Sequence, residues 1–140
     1  MKKEYNIKFK NDFDDELEQE WKNLEKNSDI SFFQTLDWQK YWHINCGRNL
    51  LNIFVLLYEE NFLVSILPFN IDIKYFIKVL TWNGFPFSDY NSPIIRKNFD
   101  FKNEHFELII SKIKKKYKFD YINLINNTNN NFFANKSFKV

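Results

Sequence analysis

The sequence predicts a mixed α/β domain in which helices flank a mainly antiparallel central sheet, in the order (β)ααβββαβ. Three separate segments place apolar residues at the spacing of one helix face. Three apolar runs between residues 50 and 82 are separated by short polar breaks, as consecutive antiparallel strands are. The chain of 140 residues, 20% of them aromatic, has the length of one domain and enough ring surface to build a core.

The N-terminal elements are predicted from helical spacing and from charge. Residues 6–10 fit a short first strand. A first helix opens at Asp12, and its early turns are acidic, where the helix dipole favours negative charge. Thr35 is placed as the N-cap of a second helix that ends at Gly47. The residues expected on the buried sides of the two helices are Phe13, Leu17, Trp21, Leu24, Trp38, Tyr41, Trp42 and Cys46.

A three-stranded meander is predicted next. Pro68 falls near the end of its middle strand and indicates a bulge or an edge, because proline donates no hydrogen bond to a ladder. The predicted strands are residues 50–58, 62–69 and 76–82.

The remainder of the chain is predicted as loop, helix, strand and tail. Residues 83–93 form the loop. A third helix begins at Phe101, and its lysines lie on the outward face, mostly in the last turns. Residues 119–125 return to the sheet. Residues 1–125 are therefore expected to be one domain, followed at 126–140 by an Asn-rich tail where a second half would begin.

Composition excludes several classes of site. Cys46 is the single cysteine, so no disulfide forms within the chain, and one Cys with two His disfavours a structural zinc site. Two glycines exclude the usual glycine-rich phosphate loops. The 20 basic and 18 acidic residues leave a net charge of +2, which is too balanced to imply nucleic acid or an anionic membrane as the main partner.

The N-terminus and the apolar runs predict a cytoplasmic protein without a membrane span. No apolar segment of the kind found in secretory signals follows the first lysines. The most apolar stretch, residues 50–69, is interrupted by polar residues and contains no run of about 18 apolar residues.

Three short motifs resemble a known family. The segment Phe33-Gln34-Thr35-Leu36-Asp37-Trp38 resembles the F-Q-(S/T)-x-x-W opening of CelD-like, FemAB-related acetyltransferases of the GNAT superfamily. Ile66-Leu67-Pro68-Phe69 is similar to their I-L-P-L strand end. Trp82-Asn83-Gly84 and Ser88-Asp89-Tyr90-Asn91 resemble their G…S-D-Y loop. The resemblance runs from about residue 17 to residue 125.

The resemblance implies a specific activity and also a missing part. Complete members of that family are about twice this long and contain two GNAT-like halves. The acyl-donor site belongs to the second half, and the first half, which this chain resembles, helps to shape the acceptor cleft. The implied reaction is acyl transfer from acyl-CoA to an amine or hydroxyl, as in cell-surface polysaccharide synthesis. The implied partners are a C-terminal GNAT half or a partner transferase, and a small-molecule or glycan acceptor.

The loop before the third helix argues against CoA binding by this chain alone. A GNAT enzyme holds the CoA pyrophosphate on successive backbone N–H groups at a helix N-terminus. The equivalent segment here, residues 85–93, contains two prolines and a negative charge at Asp89. The sequence therefore predicts that no cofactor binds to this chain alone and that catalysis requires the missing half, as in a truncated or split reading frame.

Four residues are candidate contacts for the acceptor, and no catalytic or metal-binding residue is assigned. Asp89 is placed to accept hydrogen bonds from an amine or sugar hydroxyl, and Tyr90 to donate one. The alternative is that Asp89 forms an Asx-turn and Tyr90 packs in the core. Gln34 and Trp82 are weaker candidates, and core packing explains Trp82 equally well.

Two other functions remain open from the sequence. A stand-alone, non-catalytic module would bind a sugar or a peptide, or dock on a partner transferase, through the aromatic loop. A nucleic-acid site on the lysines between residues 112 and 118 is less favoured than a solvated basic helix end.

Overall fold

The computed structural model describes residues 3–125 and 136–140. Within them lie three α-helices, with a short 3-10 helix before the second and a π-helical turn after it. The helical segments are Asp15–Lys26 (α1), Phe32–Gln34 (3-10), Leu36–Trp42 (α2), His43–Gly47 (π) and Asn103–Lys116 (α3). The strands are Tyr5–Lys10 (β1), Leu51–Glu59 (β2), Phe62–Lys74 (β3), Ile77–Trp82 (β4), Ile94–Ile95 (β5), Tyr121–Leu124 (β6) and Lys136–Lys139 (β7).

All these strands belong to one sheet. Its order is β1-β2-β3-β4-β6-β7, and β5 also pairs with β3. The pairs are antiparallel except β4 with β6, which run parallel and are connected through α3. The predicted fold class is confirmed, and the predicted elements occur in the predicted order, with two additional short strands, β5 and β7.

Strand β3 is a continuous support for two shorter strands. β4 pairs with its C-terminal half from Phe69 onwards, and β5 pairs with Ser65 and Ile66. Pro68 lies in the gap between them, where its carbonyl accepts the Asn83 N–H at 2.8 Å. Pro68 therefore lies at a gap between the β4 and β5 ladders rather than at the expected bulge or edge. The register shift between β2 and β3 occurs at Leu57/Tyr58. Proline fits at this gap because no ladder hydrogen bond requires an N–H donor there.

The central strands of the sheet, β2 and most of β3, are buried on both faces. In β2, successive residues alternate between the two sides, which explains the nearly continuous apolar run. One face packs against α3 through Ile53, Val55, Leu80, Ile122, Ile109 and Ile113. The other packs against α1 and the start of α2 through Leu17, Trp21, Leu24, Leu36, Phe54 and Leu56.

Several element boundaries differ from the predicted ones. α1 begins at Asp15 rather than Asp12, because the Asp14 carboxylate accepts the Leu17 N–H at 2.8 Å and caps the helix. α3 begins at Asn103 rather than Phe101. β3 extends to Lys74, and β5 and β7 were not predicted. Residues 126–135 of the predicted Asn-rich tail lie outside the described residues.

The buried side of α2 is also shorter than predicted. Trp42 is buried, but Tyr41 and Cys46 are exposed. Within α2 the buried residues are Leu36, Gln39 and Trp42, so Tyr41 lies on the outward side of the helix. The α-helix ends at Trp42, and the wider turn His43–Gly47 changes the angular position of Cys46. Apolar spacing therefore places Trp42 correctly and Tyr41 and Cys46 wrongly.

Trp21 connects α1 to the segment that begins α2. Its indole is fully buried, and its Nε1–H donates to the Gln34 carbonyl at 3.1 Å. Its ring also meets Phe54 of β2 edge-on, with the ring centroids 5.6 Å apart. The position of the 3-10 helix therefore depends on α1 as well as on its own turn.

Substituting Trp21 with Phe is expected to cost more stability than the same change at Trp42. Both indoles are buried, but the Trp42 Nε1 has no hydrogen-bond partner among the described residues. The W21F variant removes a buried hydrogen bond, which should add roughly 1–3 kcal/mol to the cost of the smaller ring. Urea unfolding of W21F and W42F measures the difference. Equal losses would show that this hydrogen bond contributes nothing to stability.

Candidate functional site

The first and last of the three sequence motifs meet in space. The 3-10 helix and the start of α2 lie against residues 83–93, which form the loop between β4 and β5. We call this the β4–β5 loop. Four aromatic side chains from the two segments form a cluster that we call the aromatic surface: Phe32, Phe33, Trp38 and Tyr90. The cluster centres on Phe33, whose ring contacts each of the other three.

Gln34 anchors the C-terminal end of the β4–β5 loop through hydrogen bonds. Its side chain is buried, and its Nε2 donates to the Pro93 carbonyl at 2.9 Å and the Ser92 carbonyl at 3.0 Å. It also contacts the Ser92 hydroxyl, and its Oε1 accepts the Ser31 N–H at 2.8 Å. Because these interactions use its amide inside the fold, Gln34 positions the surface rather than contacting a ligand.

A buried amide network fastens the beginning of the same loop. The Asn83 Nδ2 donates to the Gln39 Oε1 at 2.8 Å, and the Gln39 Nε2 donates to the Phe33 carbonyl at 2.9 Å. The Asn70 Nδ2 of β3 donates to the Asn83 Oδ1 at 3.2 Å. The side chains of Gln39, Asn70 and Asn83 are all buried, so breaking one of these bonds leaves polar atoms without water.

Gly84 allows Trp38 to pack directly on the loop backbone. Its φ of +100° is unfavourable for other residues. A Cβ at this position would lie 2.7 Å from the Cη2 and Cζ3 atoms of Trp38 and would also overlap the Ser88 hydroxyl. Glycine is therefore required here both by backbone conformation and by space.

Trp82 lies away from the aromatic surface. It is fully buried on the α3 face of the sheet, where its ring stacks on Phe69 with the centroids 4.7 Å apart. This position corresponds to the core-packing alternative for Trp82.

Asp89 and Tyr90 are exposed on the β4–β5 loop. The Tyr90 side chain is 56% exposed, and its ring centroid lies 6.3 Å from that of Phe33. The Asp89 carboxylate makes no hydrogen bond to residues 3–125 or 136–140, so the Asx-turn alternative is not formed within them. Both groups can therefore meet a ligand at the edge of the aromatic surface.

The contribution of Phe32 and Phe33 was not predicted as part of a site. Phe32 is exposed, and Phe33 contacts Phe32, Trp38 and Tyr90. The sequence signal was the pair of phenylalanines directly before Gln34, which periodicity alone assigns to neither helix face. Exposed rings in contact offer stacking for the apolar face of a sugar and for aromatic or aliphatic peptide side chains.

The two histidines lie outside this surface. The His43 Nδ1 is 2.8 Å from the Asn52 Nδ2, and burial lowers the pKa of His43. The His105 Nδ1 accepts the Lys102 N–H at 2.8 Å at the start of α3, and burial lowers the pKa of His105 as well. Both are held as hydrogen-bonded structural residues. No cluster of three or more His, Cys, Asp or Glu that could hold a metal occurs in the described part of the chain.

A cavity of about 620 Å³ lies elsewhere, along the outer side of α3. Phe106 and Ile110 form part of its wall, and it includes no residue of the three motifs. Within the described ranges, no helix is both long and apolar enough to cross a lipid bilayer.

Comparison with protein-family models and with curated proteins finds no match for this chain. Any family and activity assigned to it therefore rest on its own residues and their geometry.

Replacing Gln34 with Leu is expected to release the β4–β5 loop. Leucine has a similar size but leaves the Ser92 and Pro93 carbonyls without the Gln34 amide, which should cost roughly 1–3 kcal/mol. Amide hydrogen exchange should accelerate in residues 83–93 more than in β2. The matched control is Q19L, since Gln19 is exposed on α1. Uniform acceleration over the whole sheet would contradict a local fastening role.

Proposed function

We propose that this chain is the N-terminal, acceptor-shaping half of a GNAT-type acyltransferase. The complete enzyme would transfer an acyl group from acyl-CoA to an amine or hydroxyl of a small molecule or glycan. Catalysis would require a C-terminal GNAT half or a partner transferase. The observation that carries the proposal is the topology: two helices between β1 and β2, a meander, and a helical crossover that brings β6 parallel to β4.

The convergence of the motifs adds support. The F-Q-T-x-x-W segment supplies Gln34 and Trp38, and both contact the loop that contains the S-D-Y-N segment. The I-L-P-F segment supplies the Pro68 carbonyl, which accepts the N–H of Asn83 where that loop leaves β4. The three segments that carry the family resemblance therefore form one structural unit, although 27 residues separate the first from the second and 12 separate the second from the third.

Backbone donors in the β4–β5 loop are already used within the fold. The Phe85 N–H donates to the Trp82 carbonyl at 3.2 Å. The Phe87 and Ser88 N–H groups donate to the Gly84 carbonyl at 2.8 and 3.1 Å. Pro86 and Pro93 have no N–H. This loop is therefore poorly suited to hold a pyrophosphate, which requires several free N–H groups pointing the same way.

The segment directly before α3 is similarly committed. After the β4–β5 loop the chain returns to the sheet as β5, so residues 96–102, and not 85–93, directly precede α3. The Arg96 N–H donates to the Val64 carbonyl at 2.9 Å and the Lys97 N–H to the Asn27 carbonyl at 2.7 Å. The Lys102 N–H is held by His105 at 2.8 Å. Acidic side chains at 100 and 104 add unfavourable charge for a phosphate, so the residues present do not fit CoA.

In this proposal Asp89 and Tyr90 contact the acceptor. An exposed carboxylate accepts hydrogen bonds from an amine or hydroxyl, and a phenol can donate one. The neighbouring rings would pack on the apolar face of a sugar. These roles concern binding and orientation, and the acyl-transfer step is assigned to the other half.

A second candidate is a stand-alone module that binds a sugar or a peptide. The observation favouring it is that the aromatic surface is assembled entirely within this chain, from the 3-10 helix, α2 and the β4–β5 loop. Such a surface needs no second half to be complete.

Calorimetric titration of the purified chain with acetyl-CoA is expected to show no saturable binding, because the backbone donors are occupied. The coding DNA beyond codon 140 is expected to encode a second GNAT-like half, with a glycine-rich turn between a strand and a helix. If the chain alone acylated an amine from acetyl-CoA, the half-enzyme proposal would be wrong. If unrelated sequence followed a clean stop, the stand-alone module would become the better proposal.

Amino-sugar oligomers and a lysine-containing peptide are the probes for the acceptor site. We expect NMR shifts in residues 32–38 and 83–93 with one of the two probes. D89N should weaken that binding about tenfold, the effect of losing one hydrogen bond to a charged group. D29N is the control, since Asp29 is exposed and pairs only with Lys97 among the described residues. Equal effects of D89N and D29N would remove Asp89 from the site.

A further inference from the structure

The turn between β3 and β4 exposes a compact apolar tip. Tyr75 and Phe76 are 95% and 100% exposed, the highest values among the large apolar side chains described. Ile73 and Ile77, which precede and follow them, are also exposed. Exposed apolar side chains that adjoin one another usually mark an interaction site, whereas isolated ones need no explanation.

The backbone of this tip does not favour the residues it carries. Tyr75 and Phe76 have φ values of 51° and 68°, in the left-handed region. Two-residue hairpin turns of this kind favour Asn-Gly, because bulky side chains are strained at positive φ. Neither ring is packed within the fold, so hairpin stability does not account for the two aromatic residues. Strained backbone at an exposed position points instead to a function.

Lysines lie beside the base of the hairpin that carries the tip. Lys74 and Lys78 lie directly across the hairpin from Ile77 and Ile73. Lys116 and Lys118, at the end of α3, line a cavity of about 520 Å³ together with Ile73 and Lys78. Lys114 and Lys118 line a neighbouring cavity with Lys78.

Acidic groups balance only part of this positive charge. Asp72 lies 3.6 Å from the Lys74 ammonium, and Asp120 accepts the Lys78 backbone N–H at 2.9 Å. The tip and the nearby end of α3 thus combine five lysines with two aspartates. The balanced total of 20 basic and 18 acidic residues conceals this local excess.

We propose that this end of the molecule binds the surface of an anionic lipid bilayer. Tyr75, Phe76 and the flanking isoleucines enter the boundary between headgroups and acyl chains, where aromatic side chains are favoured. The lysines contact the anionic headgroups. A narrow tip suits insertion between lipids, whereas a stable protein partner usually requires a broad patch of about 800 Å².

Co-flotation with vesicles tests the proposal. The chain is expected to float with vesicles of mixed phosphatidylcholine and phosphatidylglycerol, and not with vesicles of phosphatidylcholine alone. Added salt should weaken binding because it screens the lysines. The Y75N/F76G variant should lose binding at least tenfold while its melting temperature stays the same or rises, because Asn-Gly suits the turn. Loss of binding therefore cannot be attributed to unfolding.

Charge reversal separates the lysine contribution from general electrostatics. K78E/K118E should weaken binding by at least tenfold, since each lysine near an anionic surface contributes roughly fivefold. K26E/K97E makes the same change in net charge with exposed lysines outside the tip cluster and should retain most of the binding. Three results would overturn the proposal: no flotation of the wild-type chain, equal losses in the two charge variants, or self-association that Y75N/F76G abolishes without any vesicle binding.

Discussion

The side-chain amide of Gln34 is the interaction on which the candidate surface depends. It lies between two segments separated by almost 60 residues and donates to the Pro93 carbonyl at 2.9 Å. Trp21 supports it from α1 by donating to the carbonyl of the same residue. Because both hydrogen bonds are buried, they fix the position of the 3-10 helix relative to the sheet. The aromatic side chains of the 3-10 helix and of the β4–β5 loop can therefore be in contact without a ligand present.

Backbone N–H groups limit what this fold can bind. Each such group can satisfy either the protein or a ligand, and those of Phe85, Phe87 and Ser88 are satisfied by nearby carbonyls. Anion recognition through the backbone is thereby disfavoured in the loop that follows β4. Recognition falls to side chains instead, which suits a neutral or cationic acceptor better than a phosphate. This division supports the proposal that the chain orients an acceptor and that another domain binds the acyl donor.

Periodicity predicted most of the fold from the sequence, since long apolar runs and helical stripes specify strands and helices directly. It missed β5 because two residues are too few to establish an alternating pattern. It placed Cys46 on the buried side of α2 because a change from α to π geometry leaves no mark in the spacing. It placed Tyr41 there because apolar spacing does not reveal that the polar Gln39 is part of the buried side. For the site, residue type pointed to Asp89 and Tyr90 as candidate contacts but left open whether Tyr90 packs in the core, and the structure places both at the surface. The inward turn of Gln34 could not be predicted, because it is determined by carbonyls almost 60 residues away.

The gap at Pro68 allows the β4–β5 loop to change in sequence and length without disturbing the pairing of β3 with β4 and β5. The chain leaves the sheet opposite Phe69 and returns opposite Ile66, so the two ends of the loop are fixed about 10 Å apart on one continuous strand. Closing a longer excursion between fixed ends costs little, about 0.6 kcal/mol for each doubling of length. Insertions and new sequences can therefore accumulate at the exposed positions 86–87 and 89–90 while the ladder on either side stays intact. The scaffold resembles an antibody framework in this respect, since one rigid sheet can present loops of different specificity.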